Sequence, residues 1–244
     1  MAARPYPAFH PVPLARLGLS MLCTCWTLAR VGLKAAPAPM VQAWATRVLR
    51  ALGVQVAWAG PVPPGGQLWV SNHLSWLDPL VYLSLRPSRV IAKVEVAGYP
   101  AIGPGAKRIG VRFVRRGNLF SRASTLRALG RDLRAGDPFL VFPEGTTTDG
   151  GCLAPLREGA LKMAYRQGVT VLPLRLTSDD AHYPWVGDAE LFPHLRGVAW
   201  SRSTRVEVHP GPVLVPAQFP SEAAWLRAIR AHLETPVAFL RGIA

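Results

Sequence analysis

Acidic residues are scarce in this 244-residue chain: 14 Asp and Glu face 28 Lys and Arg, for a net charge of +14. Cysteine is scarcer still. Cys23, Cys25 and Cys152 provide neither a disulfide framework nor the spacing of a metal module, so a stapled secreted scaffold is excluded and a reducing compartment is the default. Charged residues of either sign make up only 17% of the chain, while half of it is hydrophobic. That is apolar for a soluble protein, yet not the profile of a multi-span membrane protein. Nucleic-acid modules are missing too. There is no zinc-finger spacing, no aromatic RNA-binding signature and no basic region joined to heptads. A basic excess fits two partners, nucleic acid and an anionic membrane surface. With no module for the first and 8 Trp residues, a type that favours membrane interfaces, the expected partner is the membrane surface and not nucleic acid. No internal repeat occurs, and the length suits one α/β domain.

The N-terminal part is read as a membrane-associated segment, residues 1–52. Met1 to Pro13 is proline-rich and expected to be irregular. Leu17 to Ala29 carries no charge and is bracketed by Arg16 and Arg30; it is shorter than the ~20 residues of a spanning helix. It spans only if extended through Gly32 and Leu33. A signal peptide lacks a clean cleavage site, because Ala35–Ala38 is interrupted by proline. Met40 to Leu52 follows, with Val41, Trp44, Val48, Leu49 and Leu52 at helical spacing. The preferred reading is an apolar helical hairpin, joined at Pro37-Ala38-Pro39, that anchors in one leaflet. The alternative is that both helices simply cover the domain.

Residues 53–244 are read as the α/β domain. Strands are expected at Val54–Ala59, Gln67–Val70, Arg89–Val94, Val111–Val114, Phe139–Phe142, Val169–Leu176 and Arg205–Val208. Pro173 inside the sixth suggests an edge or a bulge. Helices are expected after the second strand, at Ser121–Ala135 with Ser121 as cap, at Pro155–Gln167, and from Ser221 towards Leu240 with an interruption at Pro236. Gly98 to Gly105 reads as a loop and Ser178 to Trp200 as irregular, with Trp185 and Phe192 packing inward. The strand–helix alternation predicts an α/β fold with a mostly parallel central sheet flanked by helices.

The chemistry gathers at strand ends. Asn72-His73 follows an apolar strand, and Asp78 comes five residues after the histidine. An imidazole with a carboxylate to orient it is the constellation of general-base catalysis, and strand ends opening onto helices are where open α/β sheets place their chemistry. The bland reading is a capping histidine and a first-turn acid. Lys107 to Arg116 holds five basic residues and ends in Arg115 and Arg116, whose guanidinium forks suit phosphate or carboxylate; a solvated basic face is the alternative. Phe142-Pro143-Glu144-Gly145-Thr146-Thr147 places a second carboxylate and hydroxyls at another strand end.

Taken in order, Asn72-His73 with Asp78, Gly110 to Arg116, Phe142 to Thr146 and Val171 to Leu174 closely resemble the glycerophospholipid acyltransferases, typified by the lysophosphatidic acid acyltransferases. The resemblance covers Val54 to Trp200. It implies transfer of a fatty acyl group from a thioester co-substrate, acyl-CoA or acyl carrier protein, to a lyso-lipid hydroxyl, without a cofactor or metal. His73 would be the general base and Asp78 its orienting partner. Asn72, Ser75, Lys93, Gly110, Arg115, Arg116, Glu144, Gly145 and Thr146 would serve substrate binding, with Arg116, aided by Lys93, on a phosphate. Lysophosphatidic acid is the leading acceptor, at the cytoplasmic face of the bacterial inner membrane. Two departures bear on it. Thr147 stands where the family often has an arginine, and Arg115 where it often has an acid. An acceptor without a phosphate beside the reacting hydroxyl, such as a lyso-ornithine lipid, is therefore the alternative. A hydrolase reading through Ser75 lacks the G-x-S-x-G elbow, and a non-catalytic membrane-surface protein does not need His73, Asp78 and Glu144.

Overall fold

The computed structural model describes residues 11–31, 35–60, 66–99, 102–115, 117–187, 190–201 and 203–236. Five strands run parallel in the order β6 (Val171–Ser178), β2 (Leu68–Ser71), β5 (Phe139–Val141), β3 (Arg89–Lys93) and β4 (Arg112–Val114). β7 (Thr204–Pro210) joins β6 antiparallel, and β1 (Val54–Trp58) pairs parallel with β7 at the far edge. The sheet is mostly parallel, as expected, with two reversed strands at one side.

Period-2 alternation divides the core in two. Trp69 and Leu140 point to one face with Leu172, Leu174 and Leu176; there they meet α2 (Ala38–Ala51), α3 (Asp78–Leu85) and α7 (Leu191–Trp200). Leu68, Val70, Phe139 and Val141 point to the other and meet α5 (Leu119–Arg134), α6 (Gly159–Arg166) and α8 (Glu222–Glu234). β2 is buried at every residue, the continuous apolar run expected of a central parallel strand. Because the five strands are parallel, their C-terminal ends line one edge of the sheet.

Helix α1 (Pro11–Val31) begins three residues inside the stretch expected to be irregular. Pro11 and Pro13 fit its first turn, where an N–H has no intrahelical partner to lose. α1 packs on α2 and α7. Arg16 donates to the carbonyls of Ala199, at 3.0 Å, and Ser201 at the end of α7, and the Trp44 indole N–H donates to Thr24 Oγ1 at 3.2 Å. The stripe predicted for α2 is buried at Val41, Val48, Leu49 and Leu52, with Trp44 half-buried. One side of the pair thus covers the domain. The outer side of α1 leaves Leu14, Leu19, Met21, Leu22 and Trp26 at least half exposed, with the Arg30 and Arg47 guanidinium carbons 4.7 and 5.5 Å from the Trp26 ring centre. Among the described residues no helix is long and apolar enough to cross a membrane; Gly32 and Leu33 lie outside them.

Other expectations are corrected. Helix α4 (Ile102–Arg108) occupies part of the stretch read as a loop, and a short 3-10 turn, Val94–Gly98, precedes it and takes Val94 from the end of the expected strand. Pro104 falls in the first turn of α4. Gly103 packs so closely on the 3-10 turn that an added Cβ would stand 2.1 Å from the Ala97 carbonyl oxygen. Asn118, not Ser121, caps α5: its Oδ1 accepts from the Ser121 N–H at 2.8 Å. α6 starts at Gly159 rather than Pro155 because the preceding residues are drawn onto the loop after β5, where Ala154 N–H bonds Glu144 and Arg157 N–H the Pro143 carbonyl. Pro173 lies in an interior strand. Its carbonyl accepts from Gly211 N–H at 2.9 Å, so its N faces the β7 side, just past the last ladder pair, Leu174 with Pro210; no β2 bond is lost. α7 fills part of the stretch read as irregular, with Pro193 in its first turn; the Phe192 side chain lies outside the described residues. The predicted Ser221 cap of α8 is present, its Oγ accepting from Ala224 N–H at 3.2 Å.

Candidate active site

The end of β2 is held by a side chain that imitates backbone. Past the last backbone pair, Ser71 with Leu174, the Asn72 amide accepts from Leu176 N–H at 2.7 Å and donates to its carbonyl at 3.0 Å. The main chain is thereby released from the sheet, and His73 leads a turn that closes at the first residue of α3.

That residue is Asp78, fully buried. Four donors converge on it. Oδ2 takes His73 Nδ1–H at 2.8 Å and the N–H groups of Leu74 and Ser75 at 2.6 and 2.9 Å, and Oδ1 takes the Tyr183 hydroxyl at 2.8 Å. A buried carboxylate needs such a shell to offset lost hydration. With Nδ1 as donor, the lone pair of the imidazole lies on Nε2, the nitrogen a general base uses. The ring stacks on Phe142, centroids 4.2 Å apart and planes 17° from parallel. Phe142 in turn meets Tyr82 at 5.9 Å, whose hydroxyl hydrogen-bonds Ser71 Oγ at 2.6 Å. Burial pushes the phenols of Tyr82 and Tyr183 far above their usual range, and for Tyr183 the Asp78 charge adds to it.

Glu144, at the end of β5, braces the same turn. Its Oε1 accepts from His73 N–H at 2.7 Å and its Oε2 from Ala154 N–H at 2.8 Å. Burial raises its carboxyl above the ordinary range, and the two N–H donors oppose that. The loop is closed by Arg157 N–H on the Pro143 carbonyl at 2.7 Å and by Thr148 N–H on the His73 carbonyl at 2.8 Å. Its far end is held by Arg175 Nη2 on the Gly150 carbonyl at 2.8 Å. A strap from the stretch after β6 lies over the turn. Trp185 N–H donates to the Leu74 carbonyl at 2.7 Å, and the Thr147 hydroxyl donates to the Trp185 carbonyl. His194 accepts the Trp76 indole N–H at 2.9 Å and bonds the Tyr183 carbonyl through Nε2 at 3.0 Å.

The residues singled out from sequence divide accordingly. His73, Asp78, Glu144 and Gly145 meet in one constellation. Asn72 and Ser75 are buried in its frame: both ends of the Asn72 amide are engaged, and Ser75 Oγ accepts from Leu77 N–H at 3.3 Å. Thr146 is exposed on the loop. Lys93 and Arg115 are exposed at the C-terminal ends of β3 and β4, on the same edge of the sheet as His73 but two and three strands along. Gly110 sits at the opposite end of β4, in a left-handed turn with φ +80° beside Arg89, and is not brought to the site. Arg116 lies outside the described residues. Tyr183, Phe142, Trp185 and Arg157 were not foreseen in these positions, although Trp185 was read as packing inward and is half-buried. Among the described residues no group of three or more His, Cys, Asp or Glu side chains is arranged to hold a metal ion.

An oriented imidazole thus stands at the end of a central strand of an α/β sheet, braced by a second carboxylate one strand away. The chain belongs to the acyltransferase family: the Acyltransferase family model matches residues 54–177. It is similar to the lyso-ornithine lipid O-acyltransferase of Pseudomonas aeruginosa, with 36% identity over 171 residues, 68% of this chain and 65% of that protein. With the lyso-ornithine lipid O-acyltransferase of Brucella abortus it shares 32% over 191 residues, 70% and 72% of the two chains. The 1-acyl-sn-glycerol-3-phosphate acyltransferase of Neisseria gonorrhoeae is 31% identical over 125 residues, 51% of this chain and 49% of that protein. In fold it resembles the crystal structure of the 1-acyl-sn-glycerophosphate acyltransferase PlsC from Thermotoga maritima, with a TM-score of 0.69 at 20% identity over 96% of this chain and 93% of that one.

Proposed function

We propose that the protein moves a fatty acyl group from a thioester, acyl-CoA or acyl carrier protein, to the free hydroxyl of a lyso-lipid. His73 Nε2 takes the hydroxyl proton as the oxygen attacks the thioester carbonyl. The C–O bond forms, the C–S bond breaks, and the imidazolium returns the proton to the departing thiolate. Asp78 fixes the tautomer and stabilises the imidazolium, the service an aspartate gives in a Ser-His-Asp triad. General-base catalysis of this kind contributes about 10²–10⁴-fold. The observation that carries the reading is the His73–Asp78 pair: among the described residues no protein hydroxyl or thiol hydrogen-bonds the His73 ring, and the hydroxyls of Ser71 and Ser75 are buried and engaged elsewhere, so the nucleophile comes from the substrate.

For the acceptor we favour a lyso-ornithine lipid. Thr147 adds no cation to the loop and spends its hydroxyl on the Trp185 carbonyl, and the relatives aligned over the larger shares of their length carry that name. Lysophosphatidic acid, giving phosphatidic acid, is the second reading, favoured by Lys93 and Arg115 on the catalytic edge. Detergent-purified protein incubated with labelled acyl-CoA and each acceptor in turn separates them. Acylated product from neither, or wild-type rates from His73→Ala, refutes the mechanism.

We place the protein on a membrane leaflet through the outer face of α1, at the cytoplasmic face of the bacterial inner membrane. The exposed apolar side chains, the arginines around Trp26 and the net charge of +14 support contact with an anionic leaflet. The expected result is sedimentation with anionic vesicles that weakens as salt rises and is lost in a Leu22→Ser/Trp26→Ser variant. Binding that ignores both would defeat the placement.

A further inference from the structure

One cation beside the catalytic loop has no role in the reading so far. Arg157 lies ten residues beyond Thr147, before α6. Its backbone N–H closes on the Pro143 carbonyl at 2.7 Å, and its side chain returns across Gly145. A Cβ added to Gly145 would stand 2.7 Å from Arg157 Nε and 2.9 Å from its Cδ. The left-handed φ of +66° favours glycine at 145, and the missing side chain leaves the room this arginine occupies.

The guanidinium is exposed and not neutralised from within the fold. Both oxygens of Glu144 are taken by backbone N–H groups. Glu158 pairs with Lys162 at 3.0 Å. Among the described residues no carboxylate forms an ion pair with Arg157. An uncommitted planar fork, laid over the residue next to the carboxylate that braces His73, is suited to bidentate capture of an anion. Thr147, where the resemblance leads one to expect an arginine, supplies no charge of its own.

We infer that Arg157 binds the anionic headgroup of the acceptor, a phosphate monoester or a carboxylate, from the Gly145 side of the site. The inference rests on the acyltransfer reading above, and the two acceptors named there differ in which anion they offer. Steady-state kinetics in mixed micelles, with acceptor and acyl-CoA varied separately, test it. Arg157→Ala is expected to raise the acceptor KM roughly 10- to 100-fold, the range of a hydrogen bond to a charged group, with kcat within a few-fold and the acyl-CoA KM unchanged. Arg157→Lys is expected to recover part of the loss. Adding Thr147→Arg to the Arg157→Ala variant is expected to restore affinity for the phosphate acceptor more than for the carboxylate acceptor, because the cation re-enters from the other side of the loop. An unchanged acceptor KM, or a rise confined to acyl-CoA, overturns the assignment while acyltransfer by the wild-type protein stands. If the wild-type protein acylates neither acceptor, the underlying reading fails and the assignment with it.

Discussion

Replacing Asp78 by asparagine separates the two tasks of that side chain. Three N–H donors, from His73 Nδ1, Leu74 and Ser75, fall on Oδ2 alone. An amide oxygen placed there retains all three. The new NH2 group then occupies the position of Oδ1, where the Tyr183 hydroxyl at 2.8 Å can rotate to accept instead of donate. Asp78→Asn is thus expected to keep the turn, the tautomer and most of the stability, and to lose only the charge that stabilises the imidazolium. Asp78→Ala leaves the same donors and the phenol buried without an acceptor, at about 1–3 kcal/mol for each group that water cannot reach. Turnover is therefore expected to fall about 10²–10⁴-fold in both variants, the share that general-base catalysis contributes. The melting temperature should fall steeply only in the alanine variant. Acyl-transfer kinetics with thermal melts of the same preparations decide the matter. An asparagine variant with near wild-type turnover would refute the charge argument; one as unstable as the alanine variant would refute the assignment of the three donors to one oxygen.

Further outcomes follow from the shell around this pair. Tyr183→Phe removes one hydrogen bond to a buried carboxylate, worth ~1.5–3 kcal/mol; at about 2–4 °C per kcal/mol the melting temperature should drop by several degrees and kcat by about tenfold, and an unshifted melt would deny the bond its weight. Glu144→Gln must turn its NH2 towards the N–H of either His73 or Ala154, so a loss of ~1–3 kcal/mol together with reduced turnover is expected in chemical denaturation and kinetics; unaltered values of both would show that the brace is dispensable. Burial lowers the pKa of His194, so the unfolded chain binds more protons than the native one as pH falls below about 6.5, and the contribution of the neutral ring is lost progressively towards the lowered native value. Melting temperatures should decline over that window, and His194→Gln should flatten the decline without abolishing it, because His232 is shifted in the same direction; identical slopes in variant and parent would count against His194 as their source.

The parts legible in the sequence are those whose partners lie close along the chain or at the ends of apolar strands. His73 and Asp78 are five residues apart on one turn, and Glu144 ends a neighbouring strand, so strand placement alone brings them near one another. Tyr183 was not legible. It contacts Asp78 from 105 residues away, out of a stretch whose glycine and prolines carry no periodicity. Prolines misled in two places, α1 and α4, for one reason: they fall in a first helical turn, where the missing N–H costs nothing. Pro173 misled differently, since whether a strand residue lacks a partner depends on where the neighbouring strand stops. Arg157 gave no local signal because its relevance comes from the absence of a side chain on Gly145, twelve residues earlier.

The imitation of backbone by Asn72 has a consequence for how this site can vary. The segment from Asn72 to Asp78 is tied at one end to a fixed rung of β6 and at the other to the first turn of α3, and the bonds to Glu144, Thr148 and Trp185 hold its middle. Its contour length therefore has no slack. An insertion or deletion of a single residue between His73 and Leu77 would break register with both anchors at once, whereas the exposed Thr146 in the loop after Glu144 makes no such bond and can change its side chain without moving them. On the proposed mechanism, the residues that move the proton lie on the part of the chain whose spacing is locked.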